Sequence, residues 1–309
     1  MEINNILVAN RLYKEIKEIV EKYSLEQNFR YLPEEEATYE DFLWADAYVG
    51  FRPIPNFHFG NLKWVHSLAA GVDRFVSLKW KNDVILTRTI DMFGKKIGEY
   101  CLSYMLKDIQ LHDAFSELQS SQTWKVLEPK SLQSQQVVIF GTGEIGSYLA
   151  KIFSFFNMKV IGVSLSGSPK ENFERVVTFA EAQEQLKSAD WIISTLPFTN
   201  ATNKLLNKNV FNHLHNAGFI NVGRGATIDE DSLLYALKKG HVRKAILDVF
   251  TVEPLPSTSE FWKMPNVIIT PHISALTSPE EGVNCFIQTL SKITTRQPLT
   301  NVVNIEKGY

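Results

Sequence analysis

Short apolar runs alternate with stretches in which apolar positions recur every three or four residues, and this continues along most of the chain. ILVA at 6–9 reads as a buried strand, and the stretch after it sets Leu12, Ile16, Ile19 and Tyr23 on one helical face. Strand signals return in FRYL at 29–32, AYVGF at 47–51, KWVHSLA at 63–69 and VILTR at 84–88. Strands alternating with helices predict a small parallel α/β domain. After Arg88, GKKIGEYCLSYMLKDIQLHDAF has apolar residues at 97, 101, 105, 109 and 111, which predicts one long amphipathic helix leading into a second domain.

From Val137 to Thr270 the alternation resumes with VVIF, KVIGV, WIISTL, GFINVG, AILDVF and VIIT, the strands of a second parallel sheet. A helix over Glu280–Thr295 has no strand of this sheet after it, and the tail NVVNIEKGY is too short to fold alone. Both are therefore expected to return to the first domain. The expected division is 1–102 with 277–309, and 103–276, with two crossings and a cleft between the lobes, where ligands commonly bind.

Between the first two strands of the second sheet lies QVVIFGTGEIGSYLAKIFSFFNMKVIGVS, at 136–164. Gly141 suits the tight turn, Gly143 lets backbone approach a pyrophosphate, and Gly146 lets helix and strand pack closely. Glu144 and Ile145 open the helix, whose N-terminus offers unpaired N–H groups and a positive dipole to an anion. A dinucleotide-binding domain of Rossmann type follows. Glu144 itself places a carboxylate near the pyrophosphate and is expected to point outward.

Length and composition narrow the partners. The 309 residues give room for two domains, and a formal net charge of −2 offers no global attraction to nucleic acid or an anionic membrane. Cys101 and Cys285 stand far apart among apolar residues, as buried thiols of a reducing, cytoplasmic setting would. The N-terminus lacks the apolar segment of a signal peptide, and no run reaches membrane-spanning length. No metal is expected.

Three stretches end strands of the second sheet: NVGRG at 221–225, DVFTVEPLP at 248–256 and TPHIS at 270–274. Ligands of open α/β sheets bind beyond the carboxyl ends of strands, so Arg224, Glu253 and His272 are candidates to converge there. With SLAAGVDRF at 67–75, TRTIDMFGKKIGEY at 87–100, GTGEIG, LPFTNATNKLLN at 196–207 and the terminal GY, these motifs resemble the D-2-hydroxyacid dehydrogenases, in particular their glyoxylate/hydroxypyruvate reductase branch.

The resemblance implies a Rossmann-type domain joined to a smaller flavodoxin-like substrate domain, and reduction of a small 2-oxo acid to a D-2-hydroxyacid with NADPH or NADH. By the same resemblance Arg224 grips the substrate carboxylate and carbonyl, His272 is the proton donor and acceptor, and Glu253 pairs with His272. Asp248 is placed near the nicotinamide carboxamide, and Leu196, Pro197, Thr202, Val222 and Gly223 along the cofactor. Ala70 and Gly71 would offer N–H groups to the carboxylate.

Chemistry asks for these residue types independently. A carbonyl oxygen that gains charge needs a proton, which an imidazolium supplies near neutral pH, and a neighbouring carboxylate favours that charged form. A planar guanidinium matches a carboxylate as Lys would not.

Arg52, in FRPIP, either selects the substrate side chain or is a surface-loop charge. Trp64 and Trp124 are read as core and interlobe packing. The loop after the second strand, with Ser164, Leu165, Ser166 and Lys170, has no acid to hold the ribose 2′-OH, which favours NADP over NAD. The segment from 97 to 120 with an arm to about 135 suits, by the resemblance, a homodimer. A nicotinamide-sensing, corepressor-like binding protein is the alternative on the same fold. A phosphoglycerate dehydrogenase would want further basic groups and often a regulatory domain.

Overall fold

The computed structural model describes residues 1–90 and 93–308, so Asp91 and Met92 of the TRTIDMFGKKIGEY motif and Tyr309 of the terminal GY lie outside the described residues. The chain forms two compact units, Met1–Asp91 with Leu276–Tyr309, and Met92–Ala275. Among the described residues no helix is long and apolar enough to cross a membrane.

In the first unit five parallel strands, β1 (Asn5–Ala9), β2 (Asn28–Leu32), β3 (Ala47–Gly50), β4 (Trp64–Ser67) and β5 (Ile85–Arg88), lie in the order β2-β1-β3-β4-β5. This is the flavodoxin-like order. Both faces of the sheet are covered: Ile6, Val8 and Trp64 pack with Phe286 and Leu290 of the helix Pro279–Thr294, while Leu7, Val65 and Leu86 pack with Phe42 and Phe75. Two covered faces explain why β1 and β3 read as apolar runs without polar alternation, whereas the edge strand β2 leaves Asn28 and Arg30 exposed. The Pro279–Thr294 helix is opened by a capping box between Ser278 and Glu281, and beyond it Val303 donates its N–H to Leu86 at the sheet.

The second unit is built on seven parallel strands: β6 (Gln136–Phe140), β7 (Lys159–Ser164), β8 (Arg175–Thr178), β9 (Trp191–Ser194), β10 (Ala217–Asn221), β11 (Val242–Leu247) and β12 (Val267–Ile269). Their order is β12-β11-β10-β9-β6-β7-β8, so the direction of winding reverses between β6 and β9. Such a reversal opens a crevice at the strands' carboxyl ends. The pattern reading missed β8, an edge strand with only Val176 and Val177 buried, too short for periodicity to mark.

The expected long helix begins earlier, at Phe93, and ends at Ile109; Leu111, with φ 59°, separates it from the helix His112–Ser120. Its packing moves the expected domain boundary from 102 to the start of the helix. Gly94 and Gly98, one turn apart, lie against Tyr148 and Ile152 of the helix Glu144–Phe155; a Cβ on Gly94 would stand 2.6 Å from the Tyr148 Cβ, and one on Gly98 would overlap the Ile152 side chain. The two helices touch where side chains would hold them apart, so the whole Phe93–Ile109 helix belongs to the second unit.

One buried polar group of the first unit sets a pH limit on stability. His66 on β4 is fully buried, with Nδ1 2.8 Å from the Thr87 hydroxyl and its ring beside Phe286 and Trp64. Burial pushes its imidazole down from 6.5 to about 3. The folded state thus stays neutral at a pH where the unfolded chain takes up a proton, so stability is complete above pH 6.5 and is lost as pH falls toward 3. Urea unfolding between about pH 6.5 and 5, above the range in which carboxylates titrate, is expected to lose stability with a slope approaching about 1.4 kcal/mol per pH unit. His66→Gln should flatten that slope whatever its effect on absolute stability; an equal slope in the variant assigns the dependence elsewhere.

Candidate active site

The chain leaves β6 through three glycines that are required for three different reasons. Gly141 has φ +97°, and a Cβ there would meet the Thr195 hydroxyl at 2.6 Å. That hydroxyl donates to the carbonyls of Phe140 and Gly141, each at 3.1 Å, and ties the turn to the chain leaving β9. Gly146 leaves no space, since its Cβ would fall on the Gly141 carbonyl oxygen. Gly143, the residue preceding the Glu144–Phe155 helix, is the opposite case, with nothing within 4 Å of where its Cβ would be. Closed on the protein side and open at Gly143, with unpaired N–H groups in the first helical turn, the turn fits the pyrophosphate of a dinucleotide. Glu144 is exposed and Ile145 half-buried.

The loop after β7 folds partly on itself. Ser164 Oγ accepts from the Gly167 N–H at 3.1 Å and Ser166 Oγ from Ser168 at 3.3 Å, while Leu165 is exposed. Lys170 turns back, and its ammonium donates to the Thr142 carbonyl at 2.5 Å. The loop's cation therefore lies against the glycine turn, and residues 164–170 contain no acid.

The loops after β9, β10 and β11 are pressed together. A Cβ on Gly223 would stand 2.6 Å from the Leu196 carbonyl oxygen, and one on Gly225 would overlap the Phe250 backbone. Val222 donates its N–H to Ser194, and Thr202 donates its hydroxyl to the Pro197 carbonyl at 2.7 Å. Asn221, buried at the end of β10, accepts from Gly223 N–H at 3.1 Å and donates to the Arg224 carbonyl, which also receives the Thr227 hydroxyl at 2.7 Å. The Arg224 backbone is thereby held, and its guanidinium donates to the Gly223 carbonyl at 2.8 Å.

Beyond β11 and β12 stand the remaining candidates. His272 Nδ1 is 2.8 Å from Glu253 Oε2, and Glu253 Oε1 accepts from the Phe250 N–H at 2.9 Å. His272 has φ +55°, uncommon for a residue with a Cβ. Asp248, 1% exposed, turns its carboxylate onto the His272 loop: Oδ1 accepts from the Thr270 hydroxyl at 2.6 Å and Ile273 N–H at 2.8 Å, and Oδ2 from Ser274 N–H at 2.9 Å. Tyr100, on the Phe93–Ile109 helix, meets the Thr270 hydroxyl at 2.7 Å, and burial pushes its phenol above the ordinary range. Tyr100, Thr270 and Asn221 were not found by sequence reasoning. Only the burial of a polar strand end signals such residues, and burial is not visible in apolar periodicity.

The structure thus brings together, within the second unit, the glycine turn, the 164–170 loop and the strand-end loops that carry Arg224, Glu253 and His272. Arg52, Ala70 and Gly71 belong to the first unit. The Arg52 guanidinium is 3.0 Å from Glu34 and half exposed, the arrangement of a surface-loop ion pair. Ala70 and Gly71 lie half-buried in the turn after β4, where the Ala70 carbonyl accepts from Arg88 at 3.2 Å. Trp64 is in the core as expected, but Trp124 is not packing: it is fully exposed, because residues 121–131 leave the His112–Ser120 helix without a layer over them.

Residues 102–274 match the model of the D-isomer specific 2-hydroxyacid dehydrogenase NAD-binding domain. Glyoxylate/hydroxypyruvate reductase A of Serratia proteamaculans is 33% identical over 261 residues, covering 81% of this chain and 82% of that protein. The crystal structure of a D-isomer specific 2-hydroxyacid dehydrogenase family protein from Aeromonas salmonicida superposes with a TM-score of 0.86 at 30% identity, covering 98% of this chain and 99% of that one. An NADPH-dependent glyoxylate/hydroxypyruvate reductase from Sinorhizobium meliloti, solved with NADP and sulfate, superposes with a TM-score of 0.85 at 26% identity over 99% of this chain and 100% of that one.

The glycine geometry separates folding from ligand binding. Gly143→Ala places a methyl in open space, so its melting temperature should stay within a few degrees of wild type while dinucleotide affinity, followed by fluorescence titration, falls about tenfold or more. Gly146→Ala forces backbone against side chain, and overpacking of this kind costs roughly 1–3 kcal/mol. Its melting temperature should drop clearly. A Gly143→Ala protein that binds as wild type would remove this turn from the site.

Proposed function

We propose that this chain, which belongs to the D-isomer specific 2-hydroxyacid dehydrogenase family and is an NAD(P)-dependent oxidoreductase, reduces a small 2-oxo acid of the glyoxylate or hydroxypyruvate kind to its D-2-hydroxyacid, with NADPH preferred. The observation that carries the reading is the 2.8 Å contact of His272 with Glu253 on loops that follow the same sheet as Arg224 and the glycine turn. The names of the Serratia and Sinorhizobium relatives support the substrate class.

The reduced nicotinamide, when bound, supplies the hydride. Arg224 is assigned to hold the acid's carboxylate and to draw electron density onto the carbonyl oxygen. Glu253 occupies His272 Nδ1, which leaves Nε2 as the nitrogen that delivers a proton to that oxygen. The Phe250 N–H, held on Glu253 Oε1, fixes the carboxylate and through it the ring. A homodimer is part of the reading; it rests on the exposed Trp124 and Val126, since contiguous exposed apolar surface marks an interaction site. The two buried thiols, Cys101 and Cys285, suit a reducing compartment.

Arg224→Lys keeps the charge and loses the fork. It is expected to raise KM for glyoxylate and to lower kcat, because the same group polarises the reacting carbonyl. A carboxylate-free aldehyde should be a poor substrate for wild type and should discriminate little between wild type and variant. Full activity in Arg224→Lys would reduce Arg224 to a local charge. The broader test is a spectrophotometric screen of 2-oxo acids with both nicotinamide cofactors, and turnover of none of them would favour a binding role.

The cofactor preference rests on Lys170 against the glycine turn and on a 164–170 loop without an acid to repel a 2′-phosphate. The ratio of kcat/KM for NADPH over NADH should exceed one, by about the 10-fold or more that one charge-assisted hydrogen bond provides. Ser164→Asp should collapse or invert it. A wild-type ratio below one would withdraw the NADP preference and leave the dehydrogenase untouched.

A further inference from the structure

Three consecutive N–H groups of the loop that carries His272 end on a single residue. His272 N–H donates to the Asp248 carbonyl at 2.9 Å, Ile273 N–H to its Oδ1 at 2.8 Å and Ser274 N–H to its Oδ2 at 2.9 Å. The Ile273 and Ser274 N–H groups gathered on one carboxylate form a concave nest, and gripping them holds the backbone in one conformation. Here that conformation includes φ +55° at His272, a region unfavourable to a residue with a Cβ that persists only where its surroundings impose it. From that backbone the imidazole reaches Glu253.

The Asp248 carboxylate is itself aimed from below. The Thr270 hydroxyl has one proton, and at 2.6 Å it is given to Asp248 Oδ1. The contact between Thr270 Oγ1 and the Tyr100 hydroxyl at 2.7 Å must then be donated by Tyr100. The result is a directed chain of donors from the Tyr100 phenol to the Thr270 hydroxyl to the Asp248 carboxylate, which accepts on its other side from the N–H groups of residues 273 and 274. Successive donors in such a chain polarise and strengthen one another. Thr270 is anchored by its own N–H on Leu247 at the end of β11, and Tyr100 by the helix packed through Gly94 and Gly98.

We infer that Tyr100 and Thr270 are positioning residues for the proton-transfer step, acting through Asp248 to hold His272 in its left-handed conformation beside Glu253. The inference rests on the assignment of His272 as the proton donor. Neither side chain touches substrate in this account; both determine how often the imidazole stands where it can act.

The test is a double-mutant cycle on the full-length protein, reading reduction of glyoxylate and of hydroxypyruvate with NADPH. Thr270→Val, which keeps the shape and removes the hydroxyl, is expected to lower kcat about tenfold, the scale of one hydrogen bond to a charged acceptor, with KM for NADPH within about twofold of wild type. Thr270→Ser should restore most of the loss, and Tyr100→Phe should lower kcat in the same direction by a smaller factor. In a His272→Gln background, where there is no imidazole left to place, Thr270→Val should produce no further loss. If Thr270→Val does not fold, Tyr100→Phe, which removes one hydroxyl from a half-buried ring, carries the same cycle.

Wild-type kcat in Thr270→Val and Tyr100→Phe, or an equal loss in the His272→Gln background, overturns the positioning role. If His272→Gln alone keeps wild-type turnover, the assignment of His272 fails first, and the positioning role falls with it. The two failures are distinguished by that single variant.

Discussion

Backbone lying directly on backbone is the constraint on which the second unit depends. At Gly146 on Gly141, at Gly223 on Leu196 and at Gly225 on Phe250 the chain omits a Cβ so that two loops can meet at the carboxyl edge of the sheet. The consequences are connected. Arg224 lies between two of these contacts, and the Phe250 backbone that meets Gly225 also donates to Glu253. The loop bearing the guanidinium and the loop bearing the carboxylate are therefore located by the same close approach, and the carboxylate locates the imidazole. A methyl group at either glycine would push apart the loops that carry these groups, which the proposed reaction needs close together.

Much of this was legible in the sequence because it is carried by short-range signals. Buried parallel strands read as apolar runs, the glycine turn has fixed spacing, and Arg224, Glu253 and His272 each follow such a run. What was not legible depends on separation along the chain. The meeting of Tyr100 with Thr270 spans 170 positions, and that of Thr270 with Asp248 spans 22, so neither leaves a periodic trace. The domain boundary went to 102 because apolar periodicity cannot say which sheet a helix serves, whereas the contacts of Gly94 and Gly98 can. Trp124 departs from the packing expected of an indole because no layer covers residues 121–131, while Arg52, open to two readings in the sequence, has an ion pair with Glu34.

His66 in the first unit and Asp248 and Asn221 in the second meet burial differently. In the first, His66 answers burial by staying neutral, with one ring nitrogen on Thr87 and Nε2 without a partner among the described residues. In the second, Asp248 answers burial with donors on both oxygens, and Asn221 uses its oxygen and its nitrogen on one loop. An unpaired buried polar atom lowers stability, while a fully paired one orders whatever it binds. Asp248 and Asn221 sit at strand ends of the second sheet, beside the loops that carry the candidate residues.

The Phe93–Ile109 helix has a consequence for how such a protein can change over time. One of its faces meets the helix that starts at the glycine turn, and Tyr100 projects from it to the loop that carries His272. The glycine turn and the loop that carries His272 thus take their positions from a common strut. Mutational drift in the exposed loops can proceed locally, but a change in the strut would be felt at both ends at once. Selection for new specificity is accordingly channelled toward the loops and away from this helix, although no residue of the helix needs to contact a ligand.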